Sequence, residues 1–195
     1  MIDTLSWNIR GIGSAGSLER LQTFQQQYQI PLICLQEPMV DSRKMERFKR
    51  KLRMDHSYCN CSNKIWILWT VEVDITIFQD KEQHILIKAT HLNNQPIFLT
   101  IVYAKCTEYL RRQLWNDLRE MANNIQGIWG AIGDFNVITS IEEKKKGRSY
   151  RLEESLDFLE CLNDCGLQDA GYNGSMYTWC DIGILLLLYG RDLID

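Results

Sequence analysis

What the 195-residue sequence lacks narrows what it can be. It has no basic excess, since 22 Lys and Arg stand against 25 Asp and Glu for a formal charge of −3. Non-specific nucleic-acid binding usually comes with a basic balance, so any such contact must rest on a local patch. There is no Cys-x-x-Cys pair, and the cysteines (Cys34, Cys59, Cys61, Cys106, Cys161, Cys165 and Cys180) are odd in number. That argues for free thiols in a reducing, intracellular compartment over a disulfide framework. The opening Met1-Ile2-Asp3-Thr4 carries an acid and no apolar run, unlike a signal peptide. The apolar run from Ile182 to Tyr189 falls far short of the roughly 20 residues of a spanning helix, so no membrane role is expected. A Ser-His-Asp order, Gly-x-Ser-x-Gly and Gly-x-x-x-x-Gly-Lys are all missing, which removes the common hydrolase and nucleotide-loop chemistries. No repeat or linker divides the chain, and nothing indicates an oligomer.

What is present alternates between strand and helix. Thr4 to Ile9 reads as a strand, followed by a turn and a helix from Leu18 to about Tyr28 with Ser17 as its cap. Leu18, Leu21, Phe24 and Tyr28 share one face of it. Pro31 to Gln36 reads as a buried strand with Glu37 at its exit and Pro38 as the stop. Asp41 to Met54 has helical period and holds Arg43, Lys44, Arg47, Lys49, Arg50, Lys51 and Arg53. A solvated face is the first reading of that cluster and a phosphate contact the second. Between Lys64 and Tyr103 the period becomes that of strands: 64–69, 71–78, 83–91 and 97–103. Their short connections imply antiparallel pairing. Thr107 to Ile125 is a helix with Leu110, Leu114, Leu118 and Met121 on its buried stripe. A strand through Ala131 and Ile132 follows, then a charged loop, then a helix from Arg151 to Cys165 closed by Gly166. The pattern predicts an α/β (α+β) domain, a four-layer αββα sandwich of two packed mixed or antiparallel sheets with outer helices.

Polar residues stand at four strand exits, where burial does not explain them: Asn8, Glu37, Tyr103, and Asp134 with Asn136. In the last, Gly133-Asp134-Phe135-Asn136, an acid and an amide two residues apart point one way and Phe135 the other. Each exit alone can be the start of a turn. As a set they are rich in oxygen and suit Mg²⁺ or Mn²⁺ better than zinc. A zinc site from His56, Cys59 and Cys61 is conceivable, although the spacing matches no common pattern.

Leu5-Ser6-Trp7-Asn8-Ile9-Arg10-Gly11, Leu35-Gln36-Glu37-Pro38, Ile101-Val102-Tyr103-Ala104 and Gly133-Asp134-Phe135-Asn136 occur in one order along the chain. That ordered set resembles the endonuclease/exonuclease/phosphatase superfamily, which includes DNase I and the apurinic/apyrimidinic endonucleases. It looks most like the endonuclease domain of plant non-LTR (LINE-type) retrotransposons, a likeness shared by Asn63 to Trp69, Arg112 to Trp115, Cys165 to Asp169 and Tyr177 to Trp179. The resemblance implies Mg²⁺-dependent hydrolysis of DNA, and hence action in the nucleus. By the same resemblance Glu37, helped by Asn8, holds the metal. Tyr103 donates to the scissile phosphate, Asp134 prepares the attacking water, and Asn136 holds a phosphate oxygen. Thr178 and Arg10 contact the substrate. A phosphatase acting on small phosphoesters and a non-catalytic nucleic-acid-binding remnant are the rival readings.

The family pattern also calls for a later Arg-Leu-Asp-type segment and a closing Ser-Asp-His. Neither occurs, and no histidine follows His91. His84 and His91 sit at strand positions and read as structural. Leu188 to Asp195 can be encoded so that a one-nucleotide shift reads Ile-Trp-Lys-Arg-Leu-Asp-Arg. The expectation is therefore an incomplete domain over 1–181 with its last strands missing, an aberrant tail over 182–195 in which Asp192 and Asp195 are not catalytic, and weak or absent activity. Loss of those strands should also leave a sheet edge unpaired.

Overall fold

The computed structural model describes residues 2–92, 94–137, 153–169 and 186–189. Among these residues ten strands and four α-helices follow in order: β1 (Thr4–Asn8), α1 (Ala15–Tyr28), β2 (Leu32–Gln36), α2 (Met45–Lys51), β3 (His56–Cys59), β4 (Ile65–Trp69), β5 (Val73–Asp80), β6 (His84–His91), β7 (Ile97–Tyr103), α3 (Glu108–Asn124), β8 (Trp129–Asp134), α4 (Glu153–Cys165), β9 (Gln168–Asp169) and β10 (Leu186–Tyr189). They form sheet A, in the order β1-β2-β4-β3, and sheet B, in the order β5-β6-β7-β8-β10-β9. Three apolar layers separate four layers of structure, as the hydrophobic patterning predicts. β2 is buried throughout because both of its faces are covered. Leu32 and Cys34 face the other sheet, among Ile67, Ile85, Ile101 and Ile132. Ile33 and Leu35 lie under α1 and α2, with Leu21, Phe48 and Leu52. On the far side of sheet B, Leu114, Trp115 and Leu118 of α3 and Phe158 and Cys161 of α4 pack on Val102, Trp129 and Ala131.

Two connections are parallel crossovers: β1 to β2 through α1, and β7 to β8 through α3. Parallel strands end on the same side, so each crossover brings two strand exits together. The expected antiparallel meander holds for β5-β6-β7. It fails between β4 and β5 despite their short link. Val73 N donates to Thr70 O in a turn that carries the chain from sheet A to sheet B. Val71, inside the expected 71–78 strand, lies before β5 and is exposed on that turn.

Several boundaries move for local reasons. Ser14, not Ser17, caps α1, its hydroxyl accepting from Ser17 N at 3.1 Å. The expected long basic helix is a 3₁₀ turn over Ser42–Lys44 followed by the seven residues of α2. On α3, Leu110 is exposed and Arg111 is buried in its place. Residues 151 and 152, the expected start of α4, lie outside the described residues, as does Thr178. Part of the tail, Leu186–Tyr189, is β10, which pairs antiparallel with β8 on one side and β9 on the other. β8 thus has a hydrogen-bonded neighbour on each edge, while among the described residues β1 and β3 end sheet A and β5 and β9 end sheet B. Among the described residues no helix is long and apolar enough to cross a membrane.

Candidate active site

The two crossovers place their strand exits at one rim of the sandwich. Asn8 is the register partner of Gln36, so Glu37 stands one residue past it on sheet A. Tyr103 is the register partner of Asp134 on sheet B. Two hydrogen bonds then join the sheets across the rim. Asn8 Nδ2 donates to Asp134 Oδ2 at 2.6 Å, and the Tyr103 hydroxyl donates to Glu37 Oε1. Asn8, Glu37, Tyr103, Asp134 and Asn136 are all brought together here. Arg10 is exposed on the loop beyond Asn8.

The loops are shaped by unusual backbone. Arg10, Glu37, Met39 and Asn136 have φ of 45°, 50°, 51° and 50°, the left-handed region that costs a non-glycine residue about 1 kcal/mol or more. Such strain persists only where surroundings over-determine it. Here Ile9 N donates to Gln36 O, Gly11 N to Glu37 O and Ile12 N to Pro38 O, each within 3.0 Å, zipping the first loop to the second. Asn63 clamps the same loop, its Nδ2 on Val40 O at 2.9 Å and its Oδ1 accepting from Trp66 Nε1 at 2.8 Å.

On the other half of the rim, Asp134 is a strand-end turn residue and a rim residue at once. Its Oδ1 accepts from Asn136 N at 2.9 Å, closing the turn, while Oδ2 takes Asn8. Phe135 points the opposite way, as the alternation predicts, and packs with Trp115 and Phe158 at ring-centroid distances of 6.4 and 5.1 Å. Asn136 Nδ2 donates to Ala104 O at 2.6 Å, which leaves its second N–H for a ligand. Gly133 allows the turn at all. Its φ is 132°, and a Cβ there would lie 2.1 Å from Val102 O.

Sequence reading missed Arg111. Only 6% exposed, it spreads Nη1 over Cys106 O at 2.9 Å, Asn136 O at 3.1 Å and Lys105 O at 3.3 Å. It therefore ties the loop after Tyr103 to the loop after Asp134. Its only sequence signal is a charge next to the apolar stripe of α3. Gln83 and Gln36 were missed in the same way. Gln83 O accepts from Tyr103 N, and buried Gln36 bonds Ser6 Oγ at 3.0 Å.

Burial, followed by the bond to Glu37 and its charge, pushes the Tyr103 phenol far above its usual range, so it stays a proton donor. Asn8 Oδ1 is buried without a partner among the described residues, a costly state that a cation would relieve. With the Glu37 carboxylate, of which only Oε1 is engaged by Tyr103, the donor set suits a hard, oxygen-seeking ion. Among the described residues no three His, Cys, Asp or Glu side chains gather to hold a metal, His56, Cys59 and Cys61 included. An ion at the rim would thus rest on one carboxylate plus amide and water oxygens.

None of the three histidines is at the rim. His56 stacks on Trp69, His91 lies 3.7 Å from Glu72, and buried His84 faces Asp117 on the α3 side of sheet B.

The described residues form a DNase I-like α/β sandwich. Among solved structures the chain is similar to an AP endonuclease from Archaeoglobus fulgidus, at 14% identity over 96% of this chain and 86% of that one, TM-score 0.66. It is similar also to the endonuclease domain of TRAS1, a telomere-specific non-LTR retrotransposon, at 11% identity over 95% and 82%, TM-score 0.68. A humanized D. rerio TDP2 matches at 15% identity over 70% of this chain and 63% of that one, so the chain spans less than two thirds of it, TM-score 0.56. No family profile and no curated protein matches the sequence.

Proposed function

We propose that the chain is a retrotransposon-derived, Mg²⁺- or Mn²⁺-dependent phosphodiester hydrolase with DNA as its substrate, weakly active at most as these 195 residues stand. The observation that carries this reading is the pair of cross-sheet bonds, Asn8–Asp134 and Tyr103–Glu37, which gather two carboxylates, an amide and a phenol from four separate strand exits. The fold shared with an AP endonuclease and a retrotransposon endonuclease domain supports it. Glu37 and Asn8 Oδ1 would hold the metal. Bound there, it supplies positive charge against that growing on the phosphate. The Tyr103 hydroxyl turns from Glu37 to a phosphate oxygen, and the spare Asn136 N–H holds another. Asp134, its oxygens fixed by Asn8 Nδ2 and Asn136 N, orients the attacking water and takes its proton. Thr178 and Arg10 would meet the DNA backbone. The 195 residues hold no Ser-Asp-His, and the histidines present are engaged elsewhere, so slow turnover is expected.

Two measurements test this. Mn²⁺ titration should give saturable binding that weakens at least tenfold in Glu37→Ala. Supercoiled plasmid should be nicked slowly with Mg²⁺ and not at all by that variant. Metal affinity and nicking unaltered in Glu37→Ala would overturn the site, and turnover of small phosphoesters in preference to plasmid would favour the phosphatase rival.

A further inference from the structure

The charge of this chain is segregated. Residues 41–55 carry seven Lys and Arg against three Asp and Glu, net +4, which leaves −7 for the rest. Arg43 and Lys49 are neutralised locally, by Asp41 at 2.6 Å and Glu46 at 3.0 Å. Lys44, Arg47, Arg50, Lys51 and Arg53 are exposed and enter no ion pair among the described residues. Phe48 and Leu52 anchor α2 under sheet A, so the cations face outward. The helix dipole explains Lys49, Arg50 and Lys51, which lie in the last turn. It does not explain Lys44 and Arg47 before that turn or Arg53 after it, and like charges this close repel.

The strip also has a direction. It leaves the rim through Glu37-Pro38-Met39-Val40, whose carbonyls are held by Gly11, Ile12 and Asn63. It ends where Asp55 N donates to Trp69 O, opposite Leu32 at the start of β2. Beside that end a groove of about 390 Å³ is lined by four glutamines of α1 and its C-cap (Gln22, Gln25, Gln26 and Gln29), by Lys51 and Arg53, and by one acid, Glu72. Gln22 Nε2 donates to Lys51 O and Gln25 Nε2 to Ile30 O, both at 3.1 Å, so these two brace the groove while the exposed cations match a row of phosphates. At about 1.5 Å per residue, the seven residues of α2 span about 10 Å, about three base pairs of duplex.

We propose that the outer face of α2, with Lys44, Arg47, Arg50, Lys51 and Arg53, binds the phosphate backbone of duplex DNA flanking the phosphodiester at the rim. This rests on the DNA-hydrolase reading above. The test is fluorescence anisotropy with a duplex of about 30 base pairs in chelator, at several salt concentrations. The combined variant Arg47→Gln, Arg50→Gln, Lys51→Gln, Arg53→Gln should bind at least tenfold more weakly. The slope of log affinity against log salt should shrink by about 3.6, near 0.9 for each of the four lost phosphate contacts. Lys88→Gln on sheet B is the control and should change neither. The four side chains replaced in the combined variant are exposed, and a melting curve checks the fold; should the fourfold variant not fold, Arg47→Gln with Arg50→Gln should lose about half that slope. Unchanged affinity and slope overturn the proposal, as does equal competition by polyglutamate, which would mark an acidic protein partner. A lost slope without Glu37-dependent metal binding or nicking would retire the hydrolase reading alone. Glu37-dependent nicking with an unchanged slope would retire the strip alone.

Discussion

The rim has two halves of the same plan held in different ways. Each is a strand, a helix and a parallel strand, and each delivers one carboxylate and one hydrogen-bond donor: Asn8 and Glu37 from sheet A, Tyr103 and Asp134 from sheet B. In the first half, main-chain bonds from Ile9, Gly11 and Ile12 set the geometry, and three residues tolerate left-handed φ. In the second, side chains do it: Arg111 on three carbonyls, Phe135 among aromatic rings, Asn136 on Ala104 O, and one glycine with no room for a Cβ. A backbone zipper survives most substitutions, because every residue type offers the same main-chain groups. A side-chain frame does not.

A pair of glycine substitutions should break the comparison most sharply. Gly133→Ala places a methyl 2.1 Å from Val102 O at φ 132°, forcing β7 and β8 apart. Overpacking and backbone strain together should cost about 4 kcal/mol, seen as a lower denaturant midpoint or failure to fold. Gly11→Ala on the other half, at φ 107° with nothing nearer than Met39 Sδ at 4.0 Å, should cost only about 1 kcal/mol. Equal losses would dissolve the distinction. Arg111→Met comes next. It leaves three carbonyls short of a donor and should cost about 2–3 kcal/mol in chemical denaturation. Any nicking activity should fall with it even at temperatures where the variant is folded, because both loops of the sheet B half lose their tie.

The same contrast explains what could be read from the sequence. The layers and the rim residues were legible because they follow from period and order, whereas the two parallel crossovers appear only in the structure. A doubly covered strand such as Leu32–Gln36 reads as a continuous apolar run, and polar residues stand out at strand ends, Asn8 closing β1 and Glu37 just past β2. The frame behind the rim was not. Arg111, Gln83 and Asn63 act through main-chain carbonyls or amides of distant segments, and no local pattern records which carbonyl a side chain will reach. The β4–β5 link was misread for a related reason: a short connection between strands cannot say whether the chain stays in its sheet or crosses to the other.

Acid should sharpen the comparison by loosening one half. His84, fully buried on sheet B, has its pKa pulled down to about 4, chiefly by burial; Lys81 adds to this and Asp117, with Nδ1 3.9 Å from its Oδ2, opposes it. Asp117 is itself engaged by Lys81 Nζ at 2.7 Å and Gln113 Nε2 at 3.0 Å, and Gln79 Oε1 lies 3.4 Å from His84 Nε2. The unfolded chain takes up the proton first as pH falls, so this contribution is complete above about 6.5 and is lost between there and about 4. The loss is at most about 3 kcal/mol. Denaturation midpoints across that window should fall for the native chain and fall less for His84→Gln, while amides of β1 and β2 should keep more exchange protection than those of β6 and β7.

The smallest effect belongs to the rim itself. Tyr103→Phe removes only the hydroxyl that reaches Glu37 across the sheets, and Phe keeps the ring packed among the inner apolar residues. One partly buried hydrogen bond is worth about 1 kcal/mol, and the Glu37 carboxylate it releases can be rehydrated. Stability should therefore drop by about 1 kcal/mol or less. Asn8→Ala should cost a similar amount, since it ends the 2.6 Å bond to Asp134 and also removes the unpartnered Oδ1. The metal response should separate the two. Tyr103→Phe frees Glu37 Oε1 and should bind Mn²⁺ as tightly as the native chain or more so, whereas Asn8→Ala removes a ligand oxygen and should weaken it severalfold. If both variants bind Mn²⁺ with unaltered affinity, the two cross-sheet bonds are sheet fasteners and nothing more.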